Sequence, residues 1–187
     1  DKKVVWSDRW QEKWDNLPNI KSSLSDGLLK ALDITPKVER KVETTIPEAY
    51  EFYLKAKHKY EKRENTNDTE IARGLLNKAI ELDPNDADAY NNRGIAKRKL
   101  EDYYGAIADY TKAIELDPND ADAYSNRGIA KAYLKDHSGA IADYTKAIEL
   151  DPNDADAFNN RSVSKELIGD LKGACDDAKK AVNLGIT

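Results

Sequence analysis

The stretch ADAYNNRGIAKRKLEDYYGAIADYTKAIELDPND at 87–120 is followed without a gap by ADAYSNRGIAKAYLKDHSGAIADYTKAIELDPND at 121–154. The string LDPNDADAY at 82–90 returns at 116–124 and, as LDPNDADAF, at 150–158, which fixes a period of 34 residues. A period of that length with one Pro per copy predicts helix–turn–helix units stacked into a solenoid. Within each copy Ala87, Tyr90, Gly94 and Lys97 fall at helical spacing, with Ile95 and Leu100 adding apolar surface. A second helix carries Ala106, Ile107, Tyr110, Ala113, Ile114 and Leu116; Pro118 stops it, and Asp120 is placed to cap the next one. Gly105, Gly139 and Gly173 mark the approach to the second helix, where small residues let paired helices come close and the Tyr fills the space between them.

The pattern A-x2-Y-x3-G-x2-K…A-x3-Y-x2-A-x4-P resembles the tetratricopeptide repeat (TPR). It is carried by Ala87, Tyr90, Gly94, Ala106, Tyr110, Ala113 and Pro118, then by Ala121, Tyr124, Gly128, Ala140, Tyr144, Ala147 and Pro152. The resemblance implies an all-α, right-handed solenoid. Two degraded copies flank the clear ones. Upstream, 49–86 keeps Ala49, Phe52, Ala56, Lys59, Ala72, Ala79 and Pro84, with its extra length in the polar stretch 64–68. Downstream, 155–187 keeps Ala155, Phe158, Ala174 and Ala181, but has Ser162 in place of Gly, Ala178 in place of Tyr, and no Pro. Four repeats are therefore expected, at 49–86, 87–120, 121–154 and 155–187. TPR arrays end in a solvating helix; without one, the last helix is expected to expose Leu171, Ala174, Ala178 and Val182.

Residues 1–46 are of another kind. Trp6, Trp10 and Trp14 would form one stripe on a helix, although Val4-Val5-Trp6 fits the end of a β-strand equally well. A helix is expected over 17–32, with Pro18 in its first turn and Leu17, Ile20, Leu24, Leu28 and Leu32 as its apolar seam. Asp33-Ile34-Thr35-Pro36 breaks it, and 37–46 reads as a charged linker. The run VVWSDRWQEKWDNLPNIKSSLSDGLLKALDI, followed by IPEAYEFYLKAKHKYEKR, resembles the joint between an α/β region and TPRs in bacterial class III adenylate/guanylate cyclases. That resemblance implies a signalling parent whose catalytic domain lies upstream of Asp1, and it transfers no catalytic residue.

Lys+Arg 30 against Asp+Glu 35 gives a net charge of −5, which disfavours nucleic acid and anionic membranes as partners. No apolar run approaches the roughly 18 residues of a membrane span. The start at Asp1 is expected of a piece cut from a longer chain or of a processed one. One cysteine, Cys175, excludes an internal disulfide and points to a reducing, cytoplasmic setting; it is expected in the core. His58 and His137 stand isolated and are expected at the surface. The carboxylates of Asp83-Pro84-Asn85-Asp86 lack the glycine and terminal Glu of a calcium loop and read as turn and cap residues. No cofactor or metal site and no catalytic constellation is expected, so the chain reads as a non-enzyme.

By resemblance, the second, fifth, sixth, ninth, twelfth and thirteenth positions of each repeat line a concave face. These include Asn91, Asn92, Arg98 and Lys99, then Asp122, Asn126 and Tyr133, then Asn159 and Asn160, with Tyr50, Tyr53, Leu54, Lys57 and Tyr60 in the first copy. The six differences between 87–120 and 121–154 are Asn91/Ser125, Arg98/Ala132, Lys99/Tyr133, Glu101/Lys135, Tyr103/His137 and Tyr104/Ser138. Three fall on groove positions and three near the turn, as expected where packing does not constrain the chain. Neutral drift and tuning of a groove explain that equally. Asn92, Asn126 and Asn160 recur at one position, where an amide can both donate to and accept from an extended peptide backbone. Asp122 and Asn126, or Asp156 and Asn160, stand where TPRs that clamp a C-terminal carboxylate want Lys and Arg. The expected partner is therefore an extended, non-acidic segment of protein. Homo-oligomerisation through the Trp segment or the uncapped last repeat is the alternative.

Overall fold

The structure is a computed structural model and describes residues 47–185; the Trp stripe, the 17–32 helix, the linker and most of the cyclase-like joint lie outside the described residues. These residues form eight helices and no strand. They are α1 (Pro47–Glu61), α2 (Thr66–Leu82), α3 (Ala87–Lys99), α4 (Tyr103–Leu116), α5 (Ala121–Tyr133), α6 (His137–Leu150), α7 (Ala155–Leu167) and α8 (Leu171–Asn183). Each helix packs most closely on its neighbour in sequence. The first helices of successive pairs (α1, α3, α5, α7) also touch one another, whereas the second helices make no comparable contact. A stack that closes up on one side only must curve, with the first helices on the inside. None of the described helices is long and apolar enough to cross a membrane.

The repeated turns fix where each helix begins. Asp86, Asp120 and Asp154 accept from Ala89 N, Ala123 N and Ala157 N, satisfying backbone donors that the first turn leaves open. Asp83, Asp117 and Asp151 end the preceding helices, and their side chains accept from Asn85 N, Asn119 N and Asn153 N, each at 3.0 Å. The carboxylates of the DPND turns thus work as caps and turn closers. Within each later pair, Asp102, Asp136 and Asp170 cap the second helix by accepting from Gly105, Gly139 and Gly173 N at 2.9 Å. A Cβ on Gly105 would stand 2.1 Å from the Asp102 carboxylate. These glycines therefore serve the cap, not the approach of helix to helix.

That approach belongs to Gly94 and Gly128. A Cβ there would lie 2.6 Å from the Tyr110 ring and 2.7 Å from the Tyr144 ring. Both rings are enclosed. The degraded copies vary the same pair together: Ala56 with Leu76 in the first, both buried, and Ser162 with Ala178 in the last. A smaller residue on the second helix frees room for a larger one on the first. In the first pair the extra length is partly helical, since Asn65 caps α2 and Thr66, Asn67 and Asp68 form its first turn.

Three ion triads, unmarked in the sequence reading, tie the pairs together. Arg93 Nε and Nη2 donate to Asp109 at 2.8 and 2.6 Å, and Lys97 joins at 2.9 Å. Arg127, Asp143 and Lys131 repeat this, as do Arg161, Asp177 and Lys165. Each arginine also reaches the preceding second helix, donating to Asn77, Thr111 or Thr145. One side chain therefore fixes both the pair and its neighbour.

Several expectations change. Cys175 is exposed rather than in the core. The buried stripe of α8 is Ala174, Asp177 and Ala181, and Cys175 lies about 100° round from Ala174. Ala174 is buried and Ala178 half-buried, so only Leu171 (67% exposed) and Val182 (63%) of the four expected edge residues stand open. His137 is half-buried with an enclosed Nδ1, at the start of α6. The turn between paired helices needs left-handed backbone at Glu101 (φ 63°), Lys135 (φ 65°) and Gly169 (φ 87°), and only the last meets it with the residue suited to it.

Candidate protein-interaction groove

The inner face presents α1, α3, α5 and α7, and it carries the groove residues read from the sequence to different degrees. Asn91 is buried, not open: its Oδ1 accepts from Asn126 Nδ2 at 3.3 Å, bridging α3 to α5. Adjacent first helices approach closely enough there to enclose it, so this difference from Ser125 does not fall on unconstrained surface. Asn92 is half-buried and donates from Nδ2 to Tyr53 Oη at 3.2 Å and to Asp88 O at 2.8 Å. Its Oδ1 accepts no hydrogen bond from the described residues. The Tyr53 hydroxyl is pushed far above the usual phenol range by burial, with Asp88 and Asp86 adding to it, so it stays protonated. Asn160 is half-buried and its side chain has no partner among the described residues, while Asn159 is exposed.

Further along the first helices, Arg98 is half-buried and Lys99 exposed. Tyr133 is 60% exposed, with its ring stacked on Tyr103 at 4.8 Å between centroids. Both members of that stack are positions at which the two clear copies differ. The differences at 99/133 and 103/137 are therefore coupled across the junction of two pairs.

Asp122, Asn126 and Asn160 come together around a recess of about 600 Å³, with Ser125, Ile129 and Asp156 between them. Asp151, Asp154 and Leu184 complete its rim. The recess has strongly negative walls, since Asp122 and Asp156 are exposed and neither has a cation partner among the described residues. Asn91, Asn92, Arg98, Lys99, Tyr133 and Asn159 lie outside it. Among the described residues no cluster of His, Cys, Asp and Glu is arranged to hold a metal ion.

Sequence reasoning passed over the ion triads and Tyr53 as a partner of Asn92. The triads had a signal: Arg and Asp sixteen residues apart, with Lys four after the Arg, recur at each 34-residue step.

Tetratricopeptide repeat models match 87–120, 121–154 and 143–176. No curated protein matches the chain. Among solved structures, a crystal structure of MamA is 26% identical, covering 89% of this chain and 92% of that one, with a TM-score of 0.67. The first TPR of Spaghetti (RPAP3), bound to the HSP90 peptide SRMEEVD, is 25% identical over 65% of this chain and 93% of that chain, with a TM-score of 0.61. The second TPR of Spaghetti, bound to the same peptide, is 31% identical over 52% of this chain and 91% of that chain, with a TM-score of 0.52. The recurring motif, the stacked helix pairs and these likenesses agree: the described helices form a tetratricopeptide-repeat solenoid, the family to which the repeats of this chain belong.

Proposed function

We propose that this chain is a protein-interaction scaffold whose inner face holds an extended segment of a partner protein. The carrying observation is the recess that draws Asp122, Asn126 and Asn160 together from α5 and α7. Two similar solved structures hold a peptide, which supports the reading. Asn92, Asn126 and Asn160 anchor the ligand backbone, the first through its open Oδ1 and the last through its whole amide. Asp122 and Asp156 favour a basic or neutral side chain in the recess. No step of chemistry is assigned to these residues, and the scaffold is read as a non-enzymatic part of a cytoplasmic protein.

Panning a displayed library of random dodecapeptides on the chain tests this. A consensus should emerge, with a Lys or Arg enriched at one position, and the variant carrying Asn92→Ala, Asn126→Ala and Asn160→Ala should lose at least tenfold in affinity for it. Retained affinity in that variant, with a native helical signal in circular dichroism, would move the contact off the inner face.

A second reading has its own observation. Leu167, Ile168, Leu171 and Val182 are each more than half exposed at the last pair, with Cys175 beside them. Two copies meeting there would make the array an assembly device, of use to a signalling parent such as a class III nucleotide cyclase. On that reading light scattering gives a dimer, and Leu171→Glu with Val182→Glu returns it to a monomer. A natural chain that stays monomeric across concentration excludes it.

A further inference from the structure

Among the described residues, Arg93, Arg127 and Arg161 each hold an aspartate with two hydrogen bonds. Arg98 is half-buried like them, yet no carboxylate stands within ion-pair distance of it among the described residues. Its Nε is enclosed and has no acceptor. The hydroxyl of Tyr110, whose side chain is fully buried, is likewise enclosed, with the Arg98 guanidinium beside it.

These two groups are neighbours. The Tyr110 ring rests on Gly94, one helical turn before Arg98 on the same face of α3, and its hydroxyl lies beside the guanidinium. Tyr60 of α1 and Tyr144 of α6 also feel the Arg98 charge. Burial pushes the Tyr110 hydroxyl up to about 12 while Arg98 draws it back, so it keeps its proton at neutral pH. The surroundings are thus a fixed cation with phenol hydroxyls around it and no carboxylate in reach among the described residues.

The repeat does not require this arrangement. The position equivalent to Arg98 is Ala132 in the next copy, which shares the same Gly–Tyr packing. Among the described residues no carboxylate of the pair neutralises the charge. A half-buried guanidinium without a counter-ion is costly to keep, and what satisfies it best is a planar carboxylate taking two of its N–H groups.

We infer that Arg98, with the Tyr110 hydroxyl at its side, is a carboxylate-binding point in the inner face, taking an acidic side chain or the C-terminal carboxylate of the bound segment. The inference rests on the groove reading above. It revises the expectation of a non-acidic partner at this end of α3, while the aspartates of the recess still favour positive charge at theirs. The ligand it describes carries both signs.

Three pools of displayed dodecapeptides, otherwise random, test it on the full chain. One has Glu at a fixed central position and an amidated end, the second Gln there and an amidated end, and the third Gln there and a free carboxylate. One carboxylate pool should bind at least tenfold better than the Gln-amide pool, and Arg98→Gln should erase the difference. Preference for the first pool assigns the carboxylate to a side chain, and for the third to a terminus. Equal binding of all pools, or a preference that survives Arg98→Gln, overturns the inference; if that equal binding still falls in the triple Asn variant, the groove reading stands without it. Capture of no pool sinks both. Thermal melts add a control: Arg98→Ala should leave the midpoint unchanged or raised, whereas Arg93→Ala lowers it. An equal drop in both would make Arg98 a structural residue and also overturn the inference.

Discussion

Asp143→Ala is expected to destabilise the array by about 3–5 kcal/mol, the range for breaking a buried ion pair from one side. Asp143 is almost fully buried and accepts from Arg127 Nε at 2.9 Å and Nη2 at 2.7 Å, with Lys131 at 2.8 Å. Its removal leaves two cations with side chains only 17% and 22% exposed and no counter-charge. Desolvation has already been incurred for both, so the loss exceeds what the pair contributes net. Arg127 also bonds Thr111 on the preceding helix, so the damage spreads to the neighbouring pair. Glu149→Ala is the control, since the Lys146–Glu149 pair is 45% and 60% exposed and should cost less than about 1 kcal/mol. Urea denaturation of the two variants decides the matter. Equal costs would mean that the triads are surface pairs in all but appearance.

The second large effect is a coupling. Tyr144→Ala should cost about 3–5 kcal/mol, because the ring is enclosed and its loss leaves a cavity between α5 and α6. Gly128→Ser should cost about 1–3 kcal/mol, because its Cβ would stand 2.7 Å from that ring. The double variant should cost less than the sum of the singles, with a coupling on the order of 1–2 kcal/mol. It recreates the Ser162–Ala178 combination that the last pair already uses. Strict additivity in a double-mutant cycle would refute the account of why those two positions vary together.

Much of the architecture was legible before any coordinates. The LDPNDADAY string recurs because each turn must stop one helix and cap the next, and Asp83, Pro84 and Asp86 can do so from local geometry alone. The exchange of Gly–Tyr for Ser–Ala was visible as two unrelated departures. Its meaning needed the distance between the residues, which are sixteen apart in sequence and in contact in space. The groove was less legible. A position list assigns each residue to a face, but it does not tell that Asn91 is sealed between α3 and α5, or that Asn126 donates to it from Nδ2. For Cys175, the apolar neighbours Ala174 and Ala178 suggested the core, yet one residue of helix turns a side chain by about 100°.

The sequence by itself determined the period, the helix pairs, their caps and their order, because those depend on contacts a few residues apart that every copy repeats. Only the tertiary structure decided which charges meet a carboxylate and which do not. Arg93 and Arg98 are alike in type, sit on the same helix and differ by five positions. One meets Asp109 from the facing helix, and the other lies beside Tyr110 with no carboxylate in reach among the described residues. That distinction comes from the direction in which α3 presents each side chain to α4 and to the inner face, which packing of the pair sets.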